Sequence, residues 1–157
     1  MKKLFLLIVL SWASAGAWAL DDAVNTGRFS DVTIDGYDTV AYFTEGKAVE
    51  GSDEHEYEWR GGVWRFASAA NLELFKANPD QYAPQYGGWC AYAMSDRGRT
   101  VRIDPEAWYI HDDKLYLNYS QRVQKTWLED RDSNITEADG FYPQTTDVNE
   151  WLAKEAN

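Results

Sequence analysis

Apolar and polar positions alternate with period two in three stretches of this chain. Phe29 to Ile34 alternates as a short strand would, and Asp35-Gly36 turns it. His55, Tyr57 and Trp59 fall on one face of an extended segment, with Glu54, Glu56 and Glu58 on the other. Gly61-Gly62 then reverses the chain, and Val63 to Phe66 returns antiparallel. Trp108 to His111 and Lys114 to Asn118 read as a second hairpin, closed by Asp112-Asp113. Helical spacing takes over after each hairpin. Ser68 suits an N-cap for a helix over Ala69 to Ala77 with Leu72 and Phe75 inward, and Asn78-Pro79 restarts a helical turn leading to Tyr82. Ser120 caps a helix carrying Val123 and Trp127 at i,i+4. Thr146 and Asp147 begin a terminal helix with Val148, Trp151 and Leu152 on one face. Tyr37 to Phe43 is a compact apolar element ended by Glu45-Gly46-Lys47, and Asp104-Pro105-Glu106 reads as a turn or helix start. Two strand–turn–strand–helix units hint at a pseudo-repeat, although their residue identities match poorly. The expectation is one α+β domain of small antiparallel hairpins with packed helices, without a linker or low-complexity tract.

Composition changes this picture at the start of the chain. Lys2 and Lys3, an apolar run from Leu4 to Leu10 too short to span a bilayer, and Ala17-Trp18-Ala19 together read as a signal peptide, residues 1–19, cleaved after Ala19. The folded domain is then 20–157, and Leu20 rather than a cysteine stands directly after the cut, which argues against a lipid anchor. No later stretch is long and apolar enough to cross a membrane, so the expected product is periplasmic or secreted, with no membrane insertion after cleavage. The remaining 138 residues set 13 basic against 26 acidic side chains, a net charge of −13. Such a surface repels phosphate backbones and anionic headgroups, which argues against nucleic-acid or membrane-surface partners. A single cysteine, Cys90, closes no internal disulfide, so stability rests on packing.

The order W-x-G-x-x-W-x-F-x-S followed by F-x-x-x-P-x-x-Y, in Trp59 to Tyr82, resembles the YHS domain family. The likeness extends through Gly36-Tyr37-Asp38, Tyr86 to Tyr92, Asp104 to Trp108 and Leu115 to Tyr119, and is similar to an exported, single-domain branch of that family. The resemblance implies a fold more firmly than a function, because that branch has no activity to carry over. It also implies a departure. The family's metal-binding members carry D-P-V-C and F-C-S-x-x-C, and their cysteine positions fall here on Ala41, Ala67 and Asn71. Methyl groups coordinate nothing, and an amide oxygen is a poor ligand for a soft cation.

The soft-metal donors that remain are Cys90, Met94, His55 and His111. Cys90 and Met94 share one face if Trp89 to Met94 is helical, as a copper site would want. The two histidines lie in separate hairpins. Against a metal stands the blander reading that Cys90 is buried and inert and Met94 is core. An enzyme reading leans on Cys90 as a thiolate at a helix N-terminus, with His111 or His55 as base. It lacks both the local signature of a cysteine hydrolase and a C-x-x-C partner. A third reading is a module for a small molecule or a protein, with Trp64, Tyr86, Trp89, Tyr92 and Trp108 lining a cleft. The acidic run from Asp130 is not an EF-hand, since Ile135 replaces the turn glycine and Phe141 the bidentate glutamate, and it reads instead as a solvated helix connection. The expectation is a non-catalytic accessory module binding a small ligand or a cation such as copper.

Overall fold

The computed structural model describes residues 19–27 and 29–156. The expected signal segment falls outside them except for Ala19. In chain order the elements are β1 (Thr26–Gly27), β2 (Ser30–Thr33), α1 (Ala41–Thr44), β3 (Ser52–Trp59), β4 (Gly62–Phe66), α2 (Ala69–Ala77) and α3 (Pro79–Tyr82). They continue with α4 (Ala91–Ser95), β5 (Asp104–His111), β6 (Lys114–Asn118), α5 (Gln121–Glu129), α6 (Arg131–Thr145) and α7 (Val148–Glu155). Short 3-10 turns occupy Ile34–Gly36 and Gln85–Gly88. The result is a single α+β domain. One sheet has the order β1-β2-β4-β3, with β2 parallel to β4 and the other pairs antiparallel, and β5-β6 forms a separate hairpin.

Both hairpins close through two residues in left-handed conformation, Arg60-Gly61 (φ +47° and +77°) and Asp112-Asp113 (φ +48° and +57°). Two consecutive left-handed residues match the right-handed twist of the strands they join. The first loop therefore sits one residue earlier than the glycine pair suggests, and Gly62 already pairs with Trp59 inside the sheet. Each hairpin runs into a serine-capped helix. The Ser68 hydroxyl accepts from the Asn71 amide and the Ser120 hydroxyl from the Val123 amide. The two expected strand–turn–strand–helix units are both present, in different sheets.

Three local readings are corrected. Asp104-Pro105-Glu106 is neither turn nor helix but the start of β5, with an irregular register between Asp104 and Trp108 that accommodates a proline lacking an amide donor. Tyr37 to Phe43 is not one element: Tyr37 pairs with Glu50 as an isolated bridge and the helical turn α1 begins at Ala41. The acidic run after Asp130, expected as a helix connection, is itself the 15-residue helix α6.

Strand β6 divides the interior. Leu115 and Leu117 face a cluster that includes Trp64, Phe66, Phe75 and Tyr42, whereas Tyr116 faces a second cluster with Tyr86, Met94 and Trp127. Alternation along a strand buried on both faces explains the split. The 85–88 turn anchors the N-terminal segment. Asn25 donates its amide to the Gly87 carbonyl at 2.8 Å and its side chain to the Gly88 carbonyl at 3.0 Å. A β-carbon on Gly87, whose φ is +60°, would lie 1.7 Å from the Ala23 carbonyl oxygen, so this approach requires glycine. On the other side of the segment the Ala23 amide donates to Asp147 and the Tyr142 hydroxyl to the Ala23 carbonyl, which ties residues 21–25 to the α6–α7 junction. Among the described residues no helix is long and apolar enough to cross a membrane.

Candidate functional site

The three positions that align with the resembled family's cysteines do come together, around a carboxylate. Asp38 is fully buried. Its Oδ1 accepts the Val40 amide at 2.9 Å and the Ala41 amide at 3.2 Å, the opening donors of α1. Its Oδ2 accepts the Ala67 amide at 2.9 Å and Asn71 Nδ2 at 2.7 Å. Ala41, Ala67 and Asn71 thus all donate to one side chain. Asp38 pins α1 to the start of α2, and its lone pairs are committed to protein donors. That arrangement is a structural clamp, and it leaves no thiolate cage.

The four soft donors are distributed differently. Cys90 is buried directly before α4, which starts at Ala91 rather than at Trp89. The thiol donates to Asn118 Oδ1 at 3.8 Å and accepts the Tyr119 amide at 3.3 Å. Asn118 Oδ1 also takes the Tyr92 amide, while its Nδ2 is a buried donor without a partner among the described residues. Burial pushes the Cys90 thiol up, against the lowering effect of amide donors from Ala93, Tyr119 and Tyr92 and of Arg99. The thiolate expected for a nucleophile is therefore disfavoured. The Met94 amide donates to the Cys90 carbonyl, as helical spacing requires, but the two side chains belong to different core clusters. His55 lies half-buried on β3. His111 ends β5 with Nε2 3.4 Å from Asp112 Oδ2 and 3.8 Å from Asp132 Oδ1. Among the described residues, no three or more His, Cys, Asp or Glu side chains gather to hold a metal.

One cleft of about 430 Å³ borders His111, with Asp112, Lys114, Arg131 and Asp132 in its wall, and three more meet at the first hairpin loop. A cleft of about 310 Å³ is lined by Trp59, Arg60, Asp80, Tyr86, Lys114 and Tyr142 among others. A second of about 360 Å³ shares Trp59 and Arg60 and reaches Trp151, and a third of about 190 Å³ lies between Arg60, Asp31 and Asp147. Arg60 borders all three. Its guanidinium lies 4.1 Å from the centroid of the Trp59 ring. Glu155 on α7 takes it in a fork, Nε to Oε1 at 3.0 Å and Nη2 to Oε2 at 2.8 Å, and Asp80 Oδ1 stands 3.2 Å from Nη2. The Arg60 side chain retains 12% of its exposure. A non-glycine residue at φ +47° costs backbone energy that the loop must recover through these contacts.

Of the five aromatics expected to line a cleft, Tyr86 alone lines this one. Trp64 is buried in the core, and Tyr92 and Trp108 pack against it. Trp89 packs on the second cluster and donates to the Asp22 carbonyl. Arg60 was not singled out from the sequence. The available signal was an arginine in the two-residue hairpin loop W-R-G-G, where asparagine, aspartate or glycine is the usual occupant.

Comparison with protein families matches residues 40–86 to the YHS domain. That span runs from α1 through β3, β4, α2 and α3 to the turn at Tyr86, and so contains the Asp38-clamped positions 41, 67 and 71 as well as Trp59 and Arg60. No curated protein and no solved structure matches the chain.

Proposed function

We propose that this chain, with its YHS domain at residues 40–86, is an exported, non-catalytic binding module whose ligand enters the cleft at Trp59 and Arg60. A single observation carries the reading. Three clefts meet at one nearly buried cation, held in a costly backbone conformation over an aromatic ring. Clefts with aromatic walls and a few fixed polar groups are where small molecules bind. The absence of chemistry is supported by the character of Cys90, whose partners are Asn118 and a backbone amide and whose proton is held by burial. Export is supported by the leader-like composition of residues 1–19.

The test is a fragment screen by amide NMR on the 20–157 protein. Shifts clustering on Trp59, Arg60, Tyr86, Lys114 and Tyr142, lost in Trp59→Ala, support the reading; shifts confined to other surfaces overturn it. The metal alternative, a cation such as copper on Cys90 with Met94 or a histidine, has its own arm. Saturable Cu(I) binding abolished in Cys90→Ser would establish that alternative in place of the cleft.

A further inference from the structure

We propose that the ligand of this cleft carries a carboxylate, and that Glu155 of the C-terminal helix is its internal stand-in on Arg60. The inference rests on the cleft reading above and adds the ligand's chemical class and a displaceable occupant. Arg60 already displays the recognition it offers, because its Nε and Nη2 both engage the Glu155 carboxylate, the planar fork geometry that arginine presents and lysine does not. Glu155 is an occupant that a ligand can expel. It sits in the last turn of α7, its side chain keeps 38% of its exposure, and α7 is also held by buried Val148, by Trp151 against Gly61 and by Asn149 donating to the Pro143 carbonyl. Losing the Glu155 contact therefore leaves the root of the helix docked.

Charge points the same way. The chain carries a net charge of −11, yet Arg60 and Lys114 both line this cleft. With Glu155 on Arg60 and Asp80 beside it, the positive charge is neutralised; with Glu155 displaced, an anion gains the fork and faces Lys114. The Trp59, Tyr86 and Tyr142 rings offer an apolar wall for the body of such a molecule, and the hydroxyls of both tyrosines are already engaged, with Asp139 and the Ala23 carbonyl. The class is a small aromatic or alicyclic carboxylic acid. Competition with Glu155 lowers its apparent affinity by the fraction of time Arg60 is free.

The experiment titrates phenylacetate, and its neutral isostere phenylacetamide, into wild type, Glu155→Gln, Arg60→Gln and Arg60→Lys, read by Trp fluorescence and amide NMR. Wild type should bind phenylacetate saturably and the amide at least about tenfold more weakly. Glu155→Gln should bind phenylacetate about two- to fivefold more tightly, the range expected for removing one partly exposed ion-pair competitor. Both Arg60 variants should lose the preference for the acid, Arg60→Lys included, because it keeps the charge without the fork. Hydrogen exchange at residues 152–155 should rise when phenylacetate binds. Equal affinity of wild type and Glu155→Gln, or equal binding of acid and amide, overturns the inference. If both probes bind with shifts at Trp59 and no preference, the cleft reading survives and the carboxylate inference alone falls. If no titrated probe binds any variant, the inference falls, and the cleft reading is judged by its fragment screen.

Discussion

Replacing Asp38 by Asn removes one negative oxygen from a fully buried position and installs an NH2 group. Four donors converge on this side chain, two on each oxygen: the Val40 and Ala41 amides on Oδ1, the Ala67 amide and Asn71 Nδ2 on Oδ2. Whichever way the new amide lies, two donors lose their acceptor and meet another donor. A hydrogen bond to a charged acceptor contributes about 1.5–3 kcal/mol net, so losing two costs about 3–6 kcal/mol. That is a large part of the ~5–15 kcal/mol that holds a domain folded. With a urea m-value of about 1–3 kcal/mol per molar, the unfolding midpoint should fall by roughly 1–6 M. Asn71→Ala removes only one of the four bonds and leaves Oδ2 with the Ala67 amide, so its cost should be about 1.5–3 kcal/mol, half that of Asp38→Asn. The assay is urea unfolding followed by Trp fluorescence, with Trp64 as a buried reporter near the clamp. A midpoint for Asp38→Asn within about 0.3 M of wild type would refute the clamp. An Asn71→Ala loss as large as that of Asp38→Asn would also refute it, because the cost would then lie outside the carboxylate.

Cys90 should resist alkylation in the native protein near neutral pH and react promptly in urea, since burial holds its proton. The raised thiol also sets a direction for pH. Above the unfolded thiol's value of about 8.5, the unfolded chain has lost a proton that the native state keeps, so stability falls as pH rises. Cys90→Ala should remove that decline between about pH 8.5 and 10, measured by denaturant midpoints across the range. Above that window the tyrosines add to it: burial pushes Tyr116 up to about 12 and Tyr86 and Tyr142 higher still, so alkali should unfold the domain whether or not Cys90 is present. Gly87→Ala should cost more than about 3 kcal/mol, because a β-carbon would collide with the Ala23 carbonyl in a left-handed backbone. Gly140→Ala, in α6 with nothing within 4 Å of the new methyl, should instead raise stability by about 0.5–1 kcal/mol; thermal melts distinguish the two. Ser68→Ala and Ser120→Ala should each lower stability by about 1 kcal/mol through loss of a helix cap, and the two should add because their helices follow different hairpins.

The hairpins and capped helices were readable from the chain because the information is short-range. His55, Tyr57 and Trp59 are half-buried and the glutamates between them exposed, just as period-two alternation requires. Ser68 and Ser120 cap three residues ahead, a local geometry that any tertiary context leaves intact. Where Pro105 sat between two acids, the same local logic gave a turn; pairing with β6 overrode it. The cleft residues were harder. Trp64 and Trp108 looked like wall candidates because they are aromatic, but an aromatic residue's burial depends on which element covers it.

What the chain determined alone was its inventory: one cysteine, an acidic balance, two hairpins with serine-capped helices, and alanine or asparagine where the resembled family has thiolates. Folding decided what those positions became. Ala41, Ala67 and Asn71 are brought around Asp38 because β4 returns the chain to the foot of α1. Arg60 gains its paired carboxylates only because Glu155, 95 positions later, and Asp80 arrive at the same loop. Pairwise attraction between distant charges has no periodicity to read. It exists only once packing has already fixed the distance.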